Sequence, residues 1–280
     1  MADGAAETTV AAALRQAAER LSQVSDTARL DAEVLMAHAL GVSRSDLLLR
    51  HMQRGAPPGF AALVDRRALR EPVAYIVGEQ EFHGLPFRVT PDVLIPRDDS
   101  EATLAGALED AGEGGRVLDC GVGSGALLLS FLAERRGWHG VGIDRSAGAL
   151  QIAGENAARL GLAARVQLVE ADWHCEGWAA GLGRFDRILA NPPYVEDDAA
   201  LPPSVREFEP AGALFAGADG LDDYRALVPQ LPALLTPGGT AVLEIGAAQD
   251  RAVARIAGEA GFSATLRRDL AGRPRALILR

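Results

Sequence analysis

The sequence predicts an α/β chain: a mostly parallel sheet of seven strands, one of them reversed, behind a front domain of helices alone. Three observations carry this. Beyond residue 100, short apolar strand-like runs alternate with helical stretches, the pattern of a parallel sheet with crossover helices. The last two such runs, Ser263–Arg268 and Ala276–Leu279, are separated by a helix-free turn, so they pair antiparallel. Residues 7–70 carry helical spacing and no strand signal.

In the front region, Ala11–Ala18 and Leu21 open the helical pattern. Ala28–Leu40 follows with apolar residues at helical spacing and stops at Gly41. Ser43 or Ser45 caps a helix over Arg44–His51, and another is expected over Pro57–Arg70. Glu71-Pro72 ends it, because the residue before a proline is pushed out of the helical region. Val73–Gly78 and Phe82–Val89 then read as a short β-hairpin. The expected organisation is a helical, substrate-docking domain over 1–72, a β-hairpin linker over 73–98 and an α/β domain over 99–280. Support or dimerisation is the plainer role for the helices.

Within the α/β domain, Arg116–Gly125 reads RVLDCGVGSG: the end of a buried strand, then a glycine loop, then a helix from Ala126. Glycines at such a turn let the backbone approach a ligand and leave the helix N-terminus open. The spacing is G-x-G-x-G, unlike the G-x-G-x-x-G of a pyrophosphate cradle, and suits a smaller ligand such as S-adenosylmethionine. Gly121, Val122, Gly123, Ser124 and Gly125 are therefore candidate cofactor residues. A second strand, His139–Ile143, ends in Asp144, placed to accept from ribose hydroxyls or to cap the next helix. A third, Arg165–Glu170, leads to Asp172 and Trp173, candidates for the adenine amine and ring. A fourth, Phe185–Ala190, delivers Asn191-Pro192-Pro193-Tyr194.

That tetrad suits a planar NH2 group, whose delocalised lone pair makes it a poor nucleophile. Asn191 offers a side-chain carbonyl, Pro192 a backbone carbonyl, and Pro192 and Pro193 carry no competing N–H. Tyr194 offers an aromatic face to a flat group or a cation. Later come a helix over Leu221–Leu235, interrupted near Pro229 or Pro232, a fifth strand at Gly239–Glu244 and a helix at Gln249–Ala260. All four candidate segments fall at strand carboxyl ends, where open α/β sheets bind ligands.

The net charge is −10, from 28 basic and 38 acidic residues over a length of 280. That argues against tight binding to bare nucleic acid, whose affinity comes from neutralised phosphates. Cys120 and Cys175 make no disulfide framework, and no residue cluster has metal-site spacing, so no metal is expected. The longest apolar run, Ala126–Ala133, is too short to span a membrane, and the start lacks an export signal. A cytoplasmic location is expected.

Nearly the whole chain resembles the PrmC/HemK family of protein-(glutamine) methyltransferases, which modify peptide-chain release factors. The matching pieces are AEVLMAHALG at Ala32–Gly41, REPVAYIVGEQEFHGLPFRV at Arg70–Val89, VLIPRDDSE at Val93–Glu101, the glycine loop, Ala171–Trp173, the NPPY tetrad, Phe208–Arg225, and DLAGRPR at Asp269–Arg275. The resemblance implies a Rossmann-like, class I S-adenosyl-L-methionine-dependent methyltransferase domain behind a helical bundle. It implies transfer to the glutamine amide of the release factor's Gly-Gly-Gln motif, with Gly121–Gly125, Asp144, Trp173 and Asn191 on the cofactor and Asn191–Tyr194 on the glutamine. Three positions depart from the family pattern: Asp98 stands where it has proline, Ser100 where it has threonine, and Val122 in the glycine loop is a mild change at a side chain that can point away. NPPY is shared with adenine-amine methyltransferases. A nucleic-acid adenine enzyme and a glutamine methyltransferase of a ribosomal protein are therefore the alternatives.

Overall fold

The computed structural model describes residues 8–280, so the start of the chain, on which the export-signal expectation partly rests, lies outside the described residues. The chain forms two compact units, one of residues up to Gly78 with Leu201–Phe208, the other of Glu79–Ala200 with Glu209–Arg280.

The first unit is helical because its apolar residues recur on one side of each segment. Helix α1 (Val10–Leu21) buries Val10, Leu14, Ala17 and Leu21, and starts where the Ala12 N–H donates to the Thr9 hydroxyl. Helix α2 (Ala28–Leu40) ends at Gly41 in the left-handed region (φ 65°), as expected for a C-terminal glycine. Ser43 caps α3 (Arg44–Asp46), which runs on as a π turn over Leu47–His51. Helices α4 (Phe60–Ala68) and α5 (Val73–Val77) complete a core built on Leu14, Leu35, Met36, Leu47 and Phe60. Buried Arg67 pairs with buried Asp31 at 2.7 Å, and the Ser25 and Thr27 hydroxyls also donate to Asp31, so neither charge is left bare.

Helix α5 corrects the reading of Val73–Gly78 as half of a hairpin. The run VAYIV has strand-forming residues, but Pro72 starts a helical turn and Gly78 (φ 77°) stops it. Ala74, Tyr75 and Ile76 are buried in succession on that turn. Position in the fold overrode propensity. The hairpin lies further on, between β1 (Glu79–Phe82) and β2 (Leu85–Arg88), so the linker's strands occupy 79–88.

The second unit holds β3 (Gly114–Cys120), β4 (Gly137–Asp144), β5 (Val166–Glu170), β6 (Phe185–Ala190), β7 (Leu235–Glu244), β8 (Ala264–Arg268) and β9 (Pro274–Leu279). The seven form one sheet in the order β5-β4-β3-β6-β7-β9-β8, with β9 antiparallel to both of its neighbours. Strand residues are buried alternately on the two faces. Val117, Leu189 and Val242 enter one core with residues of α6 (Glu101–Leu108), α7 (Ala126–Glu134) and α8 (Ala147–Arg159). Leu118, Ile188 and Leu243 enter the other. After α9 (Pro203–Arg206), which belongs to the first unit, that second face is covered by α10 (Asp222–Leu227), α11 (Leu231–Leu234) and α12 (Asp250–Glu259). The helix expected over Leu221–Leu235 is cut by a 3-10 turn at Val228–Gln230, since Pro229 and Pro232 cannot donate to a continuous ladder.

The sheet order places the site. Strand β3 is flanked by β4 on one side and β6 on the other, so the chain runs outward from it in both directions. The loops after β3 and β6 therefore diverge and open a crevice at the strand carboxyl ends.

Candidate active site

A cleft of about 1090 Å³ occupies that crevice, and Gly121–Ser124, Asp144, Asp172, Trp173, Asn191 and Pro193 all line it. Of the residues singled out from the sequence, Gly125, Pro192 and Tyr194 lie outside the lining.

The glycine loop is tied back to the neighbouring strand: the Gly121 and Val122 N–H groups both donate to the Ile143 carbonyl (2.9 and 2.8 Å). Gly121 has φ 81°, and a Cβ there would come within 3.3 Å of the Trp173 ring, so only glycine lets backbone and indole approach. Gly123 is also left-handed (φ 52°), with open space where a side chain would stand. The Val122 side chain packs into the core over Gly142, so a cofactor would meet chiefly its backbone.

Asp144 accepts from the Gly123 N–H (3.0 Å) and the Ser146 N–H (2.9 Å). Ser146 caps α8, so Asp144 is not needed as the cap. A carboxylate has about four acceptor sites, which leaves Asp144 free lone pairs toward the cleft. Burial holds its carboxyl above the usual carboxylate range. Buried Trp173 donates from Nε1 to Asp223 (2.9 Å), which fixes its ring beside Gly121. On the same loop half-buried Asp172 receives the His174 N–H on its carboxylate (2.9 Å).

Among the described residues, the Asn191 carboxamide makes no hydrogen bond to protein, and the Pro192 carbonyl accepts none. The tetrad is held instead through Tyr194, whose N–H reaches the Leu214 carbonyl (3.2 Å). The Tyr194 ring is largely buried against the α10–α12 face, its hydroxyl directed to Glu244 at 3.4 Å, and burial raises its pKa.

Sequence reading missed two features of the cleft. Asp119 lines it, is 1% exposed, receives the Leu128 N–H on Oδ2 (3.2 Å), and has no partner on Oδ1. Burial, with the negative charge of Asp144 adding, pushes its carboxyl up to about 8. An unpartnered buried acid facing a cleft is a receptor for a cationic ligand group. Its signal was the acid that ends a buried apolar strand. The second is Glu209, 5% exposed, which receives the Ile95 N–H (3.2 Å) and pairs with Arg97. It joins the 93–97 and 209–213 segments, both of which contribute lining residues. No local pattern marked that pairing, because its members are 112 positions apart.

Asp98 is exposed and opens the 3-10 turn Asp98–Ser100. Proline is favoured at such a first position because its missing N–H would be unpaired there anyway. An acid is favoured there by the helix dipole. Ser100 is buried and lines the cleft. No helix among the described residues is long and apolar enough to cross a membrane.

The methyltransferase small domain model matches residues 97–212, and the PrmC N-terminal domain model matches residues 12–78. Among solved structures, a methyltransferase from Pyrococcus furiosus is similar in fold, with a TM-score of 0.53 at 19% identity, covering 71% of this chain and 89% of that one. A ribosomal protein L11 methylase from Lactobacillus delbrueckii subsp. bulgaricus gives 0.50 at 23% identity over 69% and 84%. The release factor glutamine methyltransferase of Cereibacter sphaeroides is 46% identical over 96% of this chain and 97% of its own length. That of Geobacter sulfurreducens is 44% identical over 85% and 84%. With a glycine loop, acids and NPPY turn drawn together at one sheet edge, and identity of this level running the length of both chains, the protein belongs to the release factor glutamine methyltransferase family.

Proposed function

We propose that the protein transfers a methyl group from S-adenosyl-L-methionine to the side-chain amide nitrogen of a glutamine in peptide-chain release factors, the glutamine of their Gly-Gly-Gln motif. The observation that carries this reading is the Asn191 carboxamide, free of protein partners, on the wall of a cleft that also holds Asp119, Asp144 and Asp172. Curated relatives named for this reaction support the substrate. The helical unit is the docking module for the release factor, and the reaction belongs to the cytoplasm, where translation ends.

Bound in the cleft, S-adenosyl-L-methionine supplies a methyl carbon made electrophilic by its sulfonium. The free oxygen of Asp119 suits the cofactor's positive charge. Asp144 suits its ribose hydroxyls, and the Trp173 edge with Asp172 suits the adenine. The backbone of Gly121–Gly125 closes around the remainder. Asn191 Oδ1 and the Pro192 carbonyl accept the two amide hydrogens, which orients the nitrogen and shifts electron density onto it. Pro192 and Pro193 stiffen the turn and present no competing donor. Orientation is the main contribution, since holding two reactants in line removes much of a bimolecular barrier. The nitrogen gives up one proton once the new C–N bond has made it acidic, so no strong base is required. Tyr194 braces the turn from behind, its ring packed against the core and its hydroxyl on Glu244.

Mass spectrometry of a purified release factor after incubation with the protein and S-adenosyl-L-methionine tests this. The expected result is one added methyl group on the Gly-Gly-Gln glutamine. Methylation of a ribosomal protein or of DNA adenine, with the release factor left unmodified, overturns it.

A further inference from the structure

The segment Leu243–Gln249 (LEIGAAQ) has no part in the reading above, yet it touches the tetrad at two points. Strand β7 lies beside β6 with Leu243 opposite Ala190, so Glu244 falls level with Asn191. Glu244 is 2% exposed. Its Oε1 receives the Tyr194 hydroxyl at 3.4 Å. Its Oε2 has no partner, and its backbone carbonyl receives the Tyr224 hydroxyl at 2.7 Å. A buried carboxyl with one bare oxygen is an expensive way to fill space.

Gln249 stands on the turn after β7, and every atom of its amide is used. Oε1 receives the Gly246 N–H at 3.0 Å, and Nε2 donates to the carbonyls of Tyr194 (3.0 Å) and Gly220 (3.2 Å). That N/O assignment is the only one that satisfies all three contacts. Gly220 has φ 66°, and a Cβ there would lie 2.4 Å from the Tyr194 carbonyl oxygen, so the chain passes as close to the tetrad as a backbone can. Neither Gln249 nor Glu244 lines the cleft.

We propose that Gln249 and Glu244 are positioning residues for amide methylation: one grips the backbone of Tyr194 and the other its hydroxyl, and together they set where Asn191 presents its carbonyl oxygen. The inference rests on the reading that the tetrad holds the substrate amide. Gln249 supplies two N–H donors that no carboxylate can replace. Glu244 supplies an acceptor at the far end of the Tyr194 ring, so the tetrad is fixed at its main chain and at its side-chain tip. The turn just before Tyr194 carries the prolines, which have no N–H of their own to anchor it.

The test uses the full-length protein with unmodified release factor. It reads kcat, both KM values and, by calorimetry, the Kd for S-adenosyl-L-methionine. Gln249→Met keeps the volume and loses the amide; it is expected to lower kcat by about tenfold, within what a small misplacement costs, with cofactor Kd within about twofold. Gln249→Glu sets a carboxylate against two carbonyls and is expected to be worse than Gln249→Met, although it is the closer match in shape. Tyr194→Phe and Glu244→Met are each expected to lower kcat several-fold, and the double variant to match the worse single, because each removes the same hydroxyl–carboxyl contact. Unchanged kcat in Gln249→Met, a milder Gln249→Glu, or additive losses in the double variant overturns the proposal. A parallel collapse of cofactor affinity or of thermal stability in Gln249→Met does the same, because the residue then supports the fold. Asn191→Ala separates the two readings: if it keeps full turnover, the function of the tetrad fails; if it loses turnover while Gln249→Met keeps it, only the positioning role fails.

Discussion

Replacing Asp119 by asparagine separates charge from shape at the base of the cleft. Burial holds this carboxyl near 8 in the protein without ligand. At pH 7 it is then ionised in roughly one molecule in ten, and ionising it costs about 1.4 kcal/mol. A cationic ligand favours the ionised form, so binding couples to loss of that proton. The apparent Kd for S-adenosyl-L-methionine should fall about tenfold from pH 6 to pH 7. Calorimetry at pH 7 in buffers of different ionisation enthalpy should report about 0.9 proton released per cofactor bound. The useful window ends near pH 7.5, because an ordinary α-amino group loses its own proton at about 7.7–8.0. Asp119→Asn should bind roughly 10- to 100-fold more weakly above pH 7, the scale of a lost charge-assisted hydrogen bond. Its Kd should also be much flatter with pH. The variant should fold well, because its amide oxygen can still receive the Leu128 N–H. A Kd independent of pH between 6 and 7.5, or an asparagine variant that binds as tightly as the parent, would refute the role of Asp119.

The remaining expectations concern the turn and the fold. Asn191→Ala should cut turnover by roughly 10²-fold or more at saturating substrates, read by incorporation of labelled methyl into the release factor. Gly220→Ala, whose Cβ would meet the Tyr194 carbonyl at 2.4 Å, should lower turnover while leaving cofactor Kd close to that of the parent, measured on the same preparations. Glu244 is held by burial at about 7 against an ordinary value of 4.5, so the folded state binds its proton more tightly than the unfolded chain. The stability it contributes is present below about 4.5 and is lost as pH rises through 7. Glu244→Gln should therefore gain relative to the parent by up to roughly 3 kcal/mol between pH 4.5 and 7 in denaturant melts. Asp98→Pro should change thermal stability little, since the position opens a helical turn and is exposed.

Local features were legible because their causes are local. Gly121-Val122-Gly123-Ser124-Gly125 follows directly on a buried apolar strand, and the left-handed backbone at its three glycines needs no information from elsewhere in the chain. Asn191–Tyr194 follows another strand, and of the two serines offered as the cap of the next helix, Ser43 and Ser45, it is Ser43 that caps it. Alternating strands and helices, with a helix-free turn before the final strand, were enough for a seven-stranded sheet with one reversed member. Even there, propensity misled at Val73–Val77, where Pro72, Gly78 and burial decided for a helix.

What tertiary structure alone decided is which distant residues meet and which groups lose water. Tyr194 and Glu244 are 50 positions apart and touch because β6 and β7 are neighbours in the sheet, an order that hydrophobic periodicity does not encode. The same holds for Gln249 on the Tyr194 carbonyl and for Glu209 beneath Ile95 and Arg97. Asp119 reads in sequence as an ordinary acid; its lifted pKa and bare oxygen exist only once the β3 end is covered on both faces. Periodicity and turn chemistry are properties of neighbours along the chain, whereas desolvation and hydrogen-bond partners are properties of neighbours in space.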